Sequence, residues 1–241
     1  MMSWRSIGFV YLLLITVSES AWSKSFDFHD PKGFNLIEFS LAGAYESGFL
    51  LGQISATSGF LEFDPAAPEK TTGKIIAFTN TAQAQARDSN SFLKGPVLFD
   101  VERYPTITFD VQKMAQGNKI GQSVQLVVVG DLTIKGIKRK VTIPVHMDYF
   151  PGKLMERRKI EGDLLVVRSE FRIKRSDYDL GKGKLLKKVA DEVKVTMTLV
   201  GAAPKIRSKS PLGLLPLRTK SSHDKKQPQR HPIRQSPTPP R

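Results

Sequence analysis

The segment DLTIKGIKRKVTIPVHMDY, residues 131–149, carries two apolar runs on either side of a short turn. In the second run Val141, Ile143 and Val145 alternate with Thr or Pro, so that one face of the run is apolar. A period of two residues is typical of a β-strand with one buried face. Gly136 lies in the turn, where its freedom to adopt a positive φ favours a tight reversal. The segment therefore predicts an antiparallel β-hairpin.

The same period of two recurs elsewhere in the chain. It is found in PTITFDVQ (105–112), LLVVRSEFRIKR (164–175) and DEVKVTMTL (191–199), and turn-forming residues separate these runs. The chain holds about eight strand-like runs, the usual number in a small closed barrel. Because no long amphipathic helix alternates with them, antiparallel strands joined by short hairpin loops fit better than a βαβ architecture. We predict an all-β fold, an antiparallel β-barrel of about eight strands, in which Pro144 marks an edge strand or a bulge.

One segment interrupts the strand pattern. NTAQAQARDSNSFLKG, residues 80–95, is rich in Ala and Gln and then becomes polar. This composition predicts a short helical or loop insertion between two strands. Within it, Asp88 is followed by Ser and Asn, which suits a cap or a turn because their side-chain oxygens can accept free backbone N–H groups.

The N-terminus has the pattern of an export signal. Arg5 is the positive residue, residues 7–17 are apolar, and AWS at residues 21–23 offers small residues for cleavage. The apolar run is shorter than the roughly 20 residues that span a bilayer. We predict a signal peptide over residues 1–23, a mature domain over 24–203, and a periplasmic or secreted location. The alternative is an uncleaved N-terminal anchor.

The chain has no cysteine, which excludes disulfides and cysteine-bound metals, so the core alone must hold the domain together. The formal net charge of +14 is unevenly distributed, because residues 204–241 hold ten Lys and Arg and one Asp, a net charge of +9. This tail is rich in Pro and Ser and has no aromatic residue, which predicts a disordered, basic, Pro-rich extension. It is either a merely solvated extension or a contact for an anionic membrane surface, an acidic partner or, without sequence specificity, nucleic acid.

Three motifs carry a family resemblance. ARDSNSFLKGPVLFDVERYPTITFDV (86–111) resembles a signature of the YceI-like family, in which an Arg-Asp pair precedes an FFDV…YPTITF run. VVGDLTIKGIKRKVTIPV (128–145) is similar to the GDLTIHGVTRPVTLPV hairpin of that family, and IKRSDYDLG (173–181) to its IDRKDFGLG stretch. The resemblance covers about residues 25–201, in the order that the family has. It implies an exported, lipocalin-like antiparallel barrel that holds an isoprenoid or another long-chain lipid and is not an enzyme.

A long-chain ligand requires an enclosed apolar cavity, because each buried CH₂ contributes roughly 0.8 kcal/mol. The alternative is a barrel filled by its own side chains, since eight strands leave an interior only just wide enough for packing. The resemblance favours a cavity. The candidate ligand-binding residues at inward-facing positions are Phe39, Phe78, Ile107, Phe109, Val128, Val145, Phe171 and Met197.

Arg87 and Asp88 allow two interpretations. Arg87 could bind an anionic headgroup through its planar donors, or the pair could fasten the insertion to the barrel as a cap or an ion pair. The second is favoured, because Asp88 would repel an anion beside Arg87. His29 with two nearby Asp residues is too weak a pattern for a metal site, no GxSxG motif supports hydrolysis, and no cofactor is predicted.

Two functions are therefore expected, in order. The first is an exported binding protein that holds an isoprenoid, an isoprenoid quinone or a fatty-chain lipid in an apolar barrel. The second is a non-enzymatic envelope protein with a filled barrel, whose basic tail contacts anionic partners. The sequence leaves the oligomeric state open.

Overall fold

The computed structural model describes residues 23–43, 50–115, 117–182 and 189–205. The predicted signal peptide and the predicted disordered tail lie almost wholly outside the described residues. The described strands are β1 (Lys24–Asp27), β2 (Leu36–Gly43), β3 (Leu50–Ile54), β4 (Thr57–Phe63), β5 (Thr72–Phe78), β6 (Gln83–Ala84), β7 (Thr106–Ala115), β8 (Lys119–Ile120), β9 (Ser123–Ile134), β10 (Ile137–Phe150), β11 (Gly162–Lys174) and β12 (Val189–Pro204). The described α-helices are α1 (Asn90–Lys94) and α2 (Leu154–Arg158).

Eight of these strands close into an antiparallel barrel. The ring runs β1, β4, β5, β7, β9, β10, β11, β12 and returns to β1 through the pairing of Asp27 with Ala202. At the other end of β12, residues Val189 to Thr198 pair instead with β2, which pairs with β3. The predicted all-β barrel of about eight strands is confirmed.

The hairpin of β9 and β10 has the predicted register. Lys135 and Gly136 form its turn with φ values of 51° and 73°. A two-residue turn with both φ values positive matches the twist of the strands that it joins. The inward residues Ile143, Val145 and Met147 are all buried, as the alternation predicts.

Pro144 lies on the part of β10 that has a strand neighbour on one side only. It pairs with Val127 of β9, whereas β11 pairs with β10 only from His146 onward. On the open side, the Ser169 hydroxyl donates to the Pro144 carbonyl at 2.5 Å. Proline has no N–H to donate to a second strand. Pro144 is accommodated because this half of β10 has no β11 neighbour and so resembles an edge strand.

The insertion between β5 and β7 is partly helical, as predicted. It contains a 3-10 turn at Thr79–Thr81, the short β6, a second 3-10 turn at Arg87–Ser89, and α1. β6 pairs with β3, and the Asn90 side-chain oxygen accepts the Ala84 N–H at 2.8 Å. The insertion thus covers one end of the barrel, and its contact with β3 is made through β6.

Candidate functional site: an apolar cavity inside the barrel

The barrel encloses a cavity of about 140 Å³ in the half nearest the insertion. Nearly all of its surface is apolar. Its wall comes from the inward residues of β2, β3, β5, β7, β9, β10, β11 and β12 and from the insertion. The lining residues are Ile37, Phe39, Leu41, Leu50, Ile54, Ile75, Ala77, Leu93, Leu98, Phe99, Ile107, Phe109, Leu132, Ile134, Ile143, Phe171, Ile173, Arg175, Leu180, Val193, Val195 and Met197.

Two phenylalanine rings of the wall lie against glycines on neighbouring strands. A Cβ atom on Gly52 would come within 2.3 Å of the Phe39 ring, and one on Gly130 within 2.4 Å of the Phe109 ring. These distances are too short for any real contact. The two glycines therefore leave the space that these rings occupy.

The insertion forms one wall of the cavity. Leu93 of α1 is 1% exposed, and Leu98 and Phe99 follow it in the next turn. The Phe99 ring meets the Phe39 ring edge to face, with centroids 5.5 Å apart. These three residues were not among the predicted ligand-binding positions, because their packing follows no strand period. The available signal was the apolar pair Leu98–Phe99 within the family-like motif.

A second apolar cavity of about 30 Å³ lies deeper in the barrel. Four residues line both cavities: Ile75, Phe109, Ile143 and Met197. The two cavities thus adjoin at a constriction formed by these four side chains, and we call the pair of cavities the apolar column. Met is flexible and adapts to irregular space, and aromatic rings can turn about χ1, so this constriction is built from movable groups.

The structure brings most of the predicted ligand-binding residues to these two cavities. Phe39, Ile107 and Phe171 line the larger cavity, and Phe109 and Met197 line both. Val128 and Val145 line the smaller cavity.

Phe78 lines neither cavity. On β5 the inward positions are Ile75 and Ala77, so the alternation places Phe78 on the opposite face. Phe78 was expected at an inward-facing position, but the parity of its strand places Ala77 there instead.

Arg175 is the charged residue of the described cavity wall, and it is 1% exposed. Its guanidinium donates to three carbonyl oxygens, those of Ala190 at 2.8 Å, Leu180 at 3.1 Å and Val189 at 3.2 Å. Because the cavity surface is apolar, the carbon stem of Arg175 faces the cavity. The residue therefore ties the 3-10 turn Arg175–Tyr178 to the start of β12.

Tyr178, in the same turn, is also 1% exposed. Burial, followed by the nearby Asp177 carboxylate, raises the pKa of Tyr178 to about 12. Its hydroxyl therefore stays protonated at neutral pH. No hydrogen-bond partner for this hydroxyl is found among the described residues.

Arg87 and Asp88 are exposed and lie outside the barrel. Arg87 borders an open polar groove on the outer face of β2, β3 and β12, and Asp88 does not. Neither of the turns at this point has a side-chain cap bond. In the described structure the Ala84–Asn90 hydrogen bond fastens the segment.

The described residues contain no cluster of three or more His, Asp or Glu side chains that could hold a metal ion. His29, which the sequence places between two Asp residues, belongs to no such cluster in the described structure. Its backbone N–H donates to the Asp27 carboxylate at 2.8 Å. Among these same residues, none of the helices is long and apolar enough to cross a membrane.

Comparison with known proteins agrees with this geometry. The model of the YceI-like domain matches residues 34–201. No curated protein matches the sequence significantly.

Solved structures share the fold. The crystal structure of Burkholderia cenocepacia BcnA is 25% identical, with a TM-score of 0.55, covering 68% of this chain and 95% of that one. A polyisoprenoid binding domain from Saccharophagus degradans is 15% identical, with a TM-score of 0.54, covering 76% of this chain and 99% of that one. A Campylobacter jejuni YCEI protein is 18% identical, with a TM-score of 0.50, covering 64% and 85%. With the family model matching well over half of its length, the chain belongs to the YceI-like family.

Proposed function

We propose that this protein is an exported binding protein that holds a long-chain hydrophobic ligand, such as an isoprenoid, an isoprenoid quinone or a fatty-chain lipid, inside its barrel. The observation that carries the proposal is the apolar column, the two adjoining cavities inside the barrel. The description of the Saccharophagus relative as a polyisoprenoid binding domain supports it. The described side chains that line the column are apolar except Arg175, whose guanidinium is held by three carbonyl oxygens, and this supports binding without chemistry.

The volume of the column limits what binds without rearrangement. A cavity of about 150 Å³ lined by Leu, Ile and Phe stays dry and holds one benzene. The larger cavity here, at about 140 Å³, therefore accepts only a short segment of chain. A longer chain must displace the side chains at the constriction, above all Phe109 and Met197. Each CH₂ that it buries contributes roughly 0.8 kcal/mol toward this displacement.

The small volume also keeps a second function open. If the constriction does not yield, the barrel is in effect filled, and the protein acts through its surface and its basic tail. The two functions differ in whether a long-chain lipid enters the barrel.

The deciding experiment is organic extraction of the purified protein followed by mass spectrometry, together with titration by a fluorescent long-chain lipid. We expect a hydrophobic ligand in the extract or saturable binding of the probe. Ala77→Leu should abolish the uptake, because the added isopropyl group occupies the cavity that Ala77 lines. Phe78→Leu is the matched control on the other face of β5 and should leave uptake unchanged. A clean extract with no saturable binding by the wild type would refute the proposal.

A further inference from the structure

The loop between β1 and β2 is fastened to α2 at the barrel end where β10 passes into β11. The Asp30 carboxylate, whose side chain is 1% exposed, accepts the Arg157 guanidinium and the Phe34 N–H, each at 2.8 Å. Arg158 donates to the His29 carbonyl at 3.0 Å. These contacts therefore hold the loop and α2 together as one unit.

This unit exposes three large apolar side chains. Phe34 is 59% exposed, Met155 43% and Ile160 44%. Phe34 lies against α2, with the Arg157 guanidinium 4.6 Å from the centre of its ring. In α2, the buried Leu154 packs on the barrel, which leaves its neighbour Met155 directed away from it.

The same loop, helix and turn also carry exposed basic side chains. Lys32, Lys153 and Lys159 are exposed, and the Lys32 ammonium donates to the Arg157 carbonyl at 2.6 Å. The acidic residues of α2 and the turn after it are Glu156, which pairs with Lys153 at 2.5 Å, and Glu161. Arg157 and Arg158 both contact the carboxylate of Asp30. Residues 30–34 and 153–161 together hold five Lys and Arg against three Asp and Glu, a formal net charge of +2. We name the set Phe34, Met155, Ile160, Lys32, Lys153 and Lys159 the α2 surface.

We propose that the α2 surface docks the domain on an anionic lipid bilayer. Apolar side chains next to lysines suit an interface in which the apolar groups enter the acyl boundary while the ammonium groups stay among anionic headgroups. The excess of positive charge is complementary to such a surface, and each lysine near it strengthens binding about fivefold. The hydrogen bonds of Asp30 hold Phe34 in place before contact, so little ordering is required on docking. The inference is independent of what the barrel holds.

The test is sedimentation of the full chain with vesicles of phosphatidylcholine, with and without phosphatidylglycerol. We expect binding to the anionic vesicles that weakens as salt is added, because exposed charges are screened within about 8 Å at physiological ionic strength. The triple variant F34S/M155S/I160S should bind the anionic vesicles about tenfold or more weakly. The double variant K32E/K159E should lose a similar factor, with the larger loss at low salt.

Matched controls come from the rest of the barrel. Phe60 and Leu51 are 50% and 44% exposed on other strands, and F60S/L51S should bind as the wild type does. Thermal unfolding of each variant checks that it is folded, and probe uptake by the barrel should be unchanged in all of them.

Equal binding by wild type and F34S/M155S/I160S would overturn the proposal. So would loss of binding only on deletion of residues 206–241, which would assign the contact to the tail, or a wild-type dimer that F34S/M155S/I160S dissociates.

Discussion

Phe109 divides the interior of the barrel, because its ring borders both apolar cavities. Phe109→Ala should join the cavities of about 140 Å³ and 30 Å³ into one space. We expect a loss of up to about 3 kcal/mol in the free energy of unfolding, the lower end of the range for fully buried Phe→Ala changes, because Phe109 is only partly buried. Uptake of a long-chain fluorescent probe should rise at the same time. Urea denaturation and probe titration measure the two effects.

The control for this change is Phe60→Ala on the outer face of β4, where the ring is half exposed. It should alter the free energy of unfolding by less than about 0.5 kcal/mol and leave probe uptake as it is. If Phe109→Ala destabilised the barrel without increasing uptake, the ring would be a structural filler and not a barrier to the ligand.

Gly130 should have the opposite effect on uptake. An added Cβ would collide with the Phe109 ring at 2.4 Å and with the Asp110 carbonyl at 2.7 Å. Gly130→Ala should therefore push the ring toward the interior, weaken probe uptake, and cost about 1–3 kcal/mol through overpacking. The double variant Gly130→Ala/Phe109→Ala provides the check, because removal of the ring should restore uptake. Undiminished uptake in Gly130→Ala would mean that the strand, and not the ring, moves.

The residues that line the cavity can be predicted from the sequence only where a strand alternates inward and outward side chains. The alternation of β7 and β11 correctly predicts that Phe109 and Phe171 point inward, because every second residue of a strand shares a face. Phe78 shows the limit of this method, since a shift of one residue reverses the face and its aromatic character says nothing about parity. Leu93 and Phe99 reach the cavity from a non-strand segment, where no period exists to follow.

At the level of single elements, β1 is the short strand that completes the ring. Beyond its pairing with β4 it meets β12 at Asp27 and Ala202, and its first residue, Lys24, makes an ion pair with Asp163 of β11. Tyr149 completes this contact, accepting from the Lys24 ammonium and donating to the Asp163 carboxylate, both at 2.9 Å. Such side-chain contacts between distant strands could not be predicted from sequence, and β1 precedes the residues that the family model matches.

The ion pair makes the closure of the barrel sensitive to pH. Burial raises the pKa of Asp163, but the hydrogen bonds from Lys24, the Gly152 N–H and Tyr149 outweigh this and hold the pKa below its ordinary value. A carboxyl group with a lowered folded-state pKa stabilises above its unfolded pKa, roughly 3.9, and loses this contribution as the pH falls through the folded value. The pKa of Lys24 is raised, chiefly by the hydrogen bond to Asp163. Its contribution is present at neutral pH and is lost as the pH rises through that raised value.

Asp163→Asn should therefore lower stability between about pH 5 and pH 9 and have little effect near pH 2. Lys24 is 42% exposed, so solvent screening limits the expected loss to about 0.2–1 kcal/mol. Urea midpoints measured across this range should show a shallower acid limb than in the wild type. Glu170→Gln, which removes an exposed ion pair with Lys194, is the control and should leave that limb unchanged. A constant difference between wild type and Asp163→Asn down to pH 2 would contradict the assignment.

At the scale of the whole molecule, we expect ligand binding by the barrel to be independent of the tail. The last described residue, Lys205, still donates its backbone N–H to the Glu161 carbonyl at 2.9 Å. Deletion of residues 206–241 removes nine Lys and Arg and one Asp, which lowers the formal net charge from +14 to +6. Because all the residues that line the two cavities precede this point, the deletion should leave the unfolding midpoint and probe uptake unchanged.

The same deletion tests whether the tail has a surface-binding role, since the predicted contact with anionic partners is electrostatic. A full-length variant with the nine basic residues replaced by Gln and Ser separates charge from length. If the tail acts through its charge, both variants should lose the same part of the salt-dependent binding to anionic vesicles, on the order of fivefold for each lysine or arginine that approaches the surface. The docking assigned to Phe34, Met155 and Ile160 would persist in both, because hydrophobic insertion does not depend on the tail. A fall in probe uptake on loss of the tail would instead indicate that residues 206–241 contribute to ligand binding, and would contradict the expectation that the barrel binds independently of them.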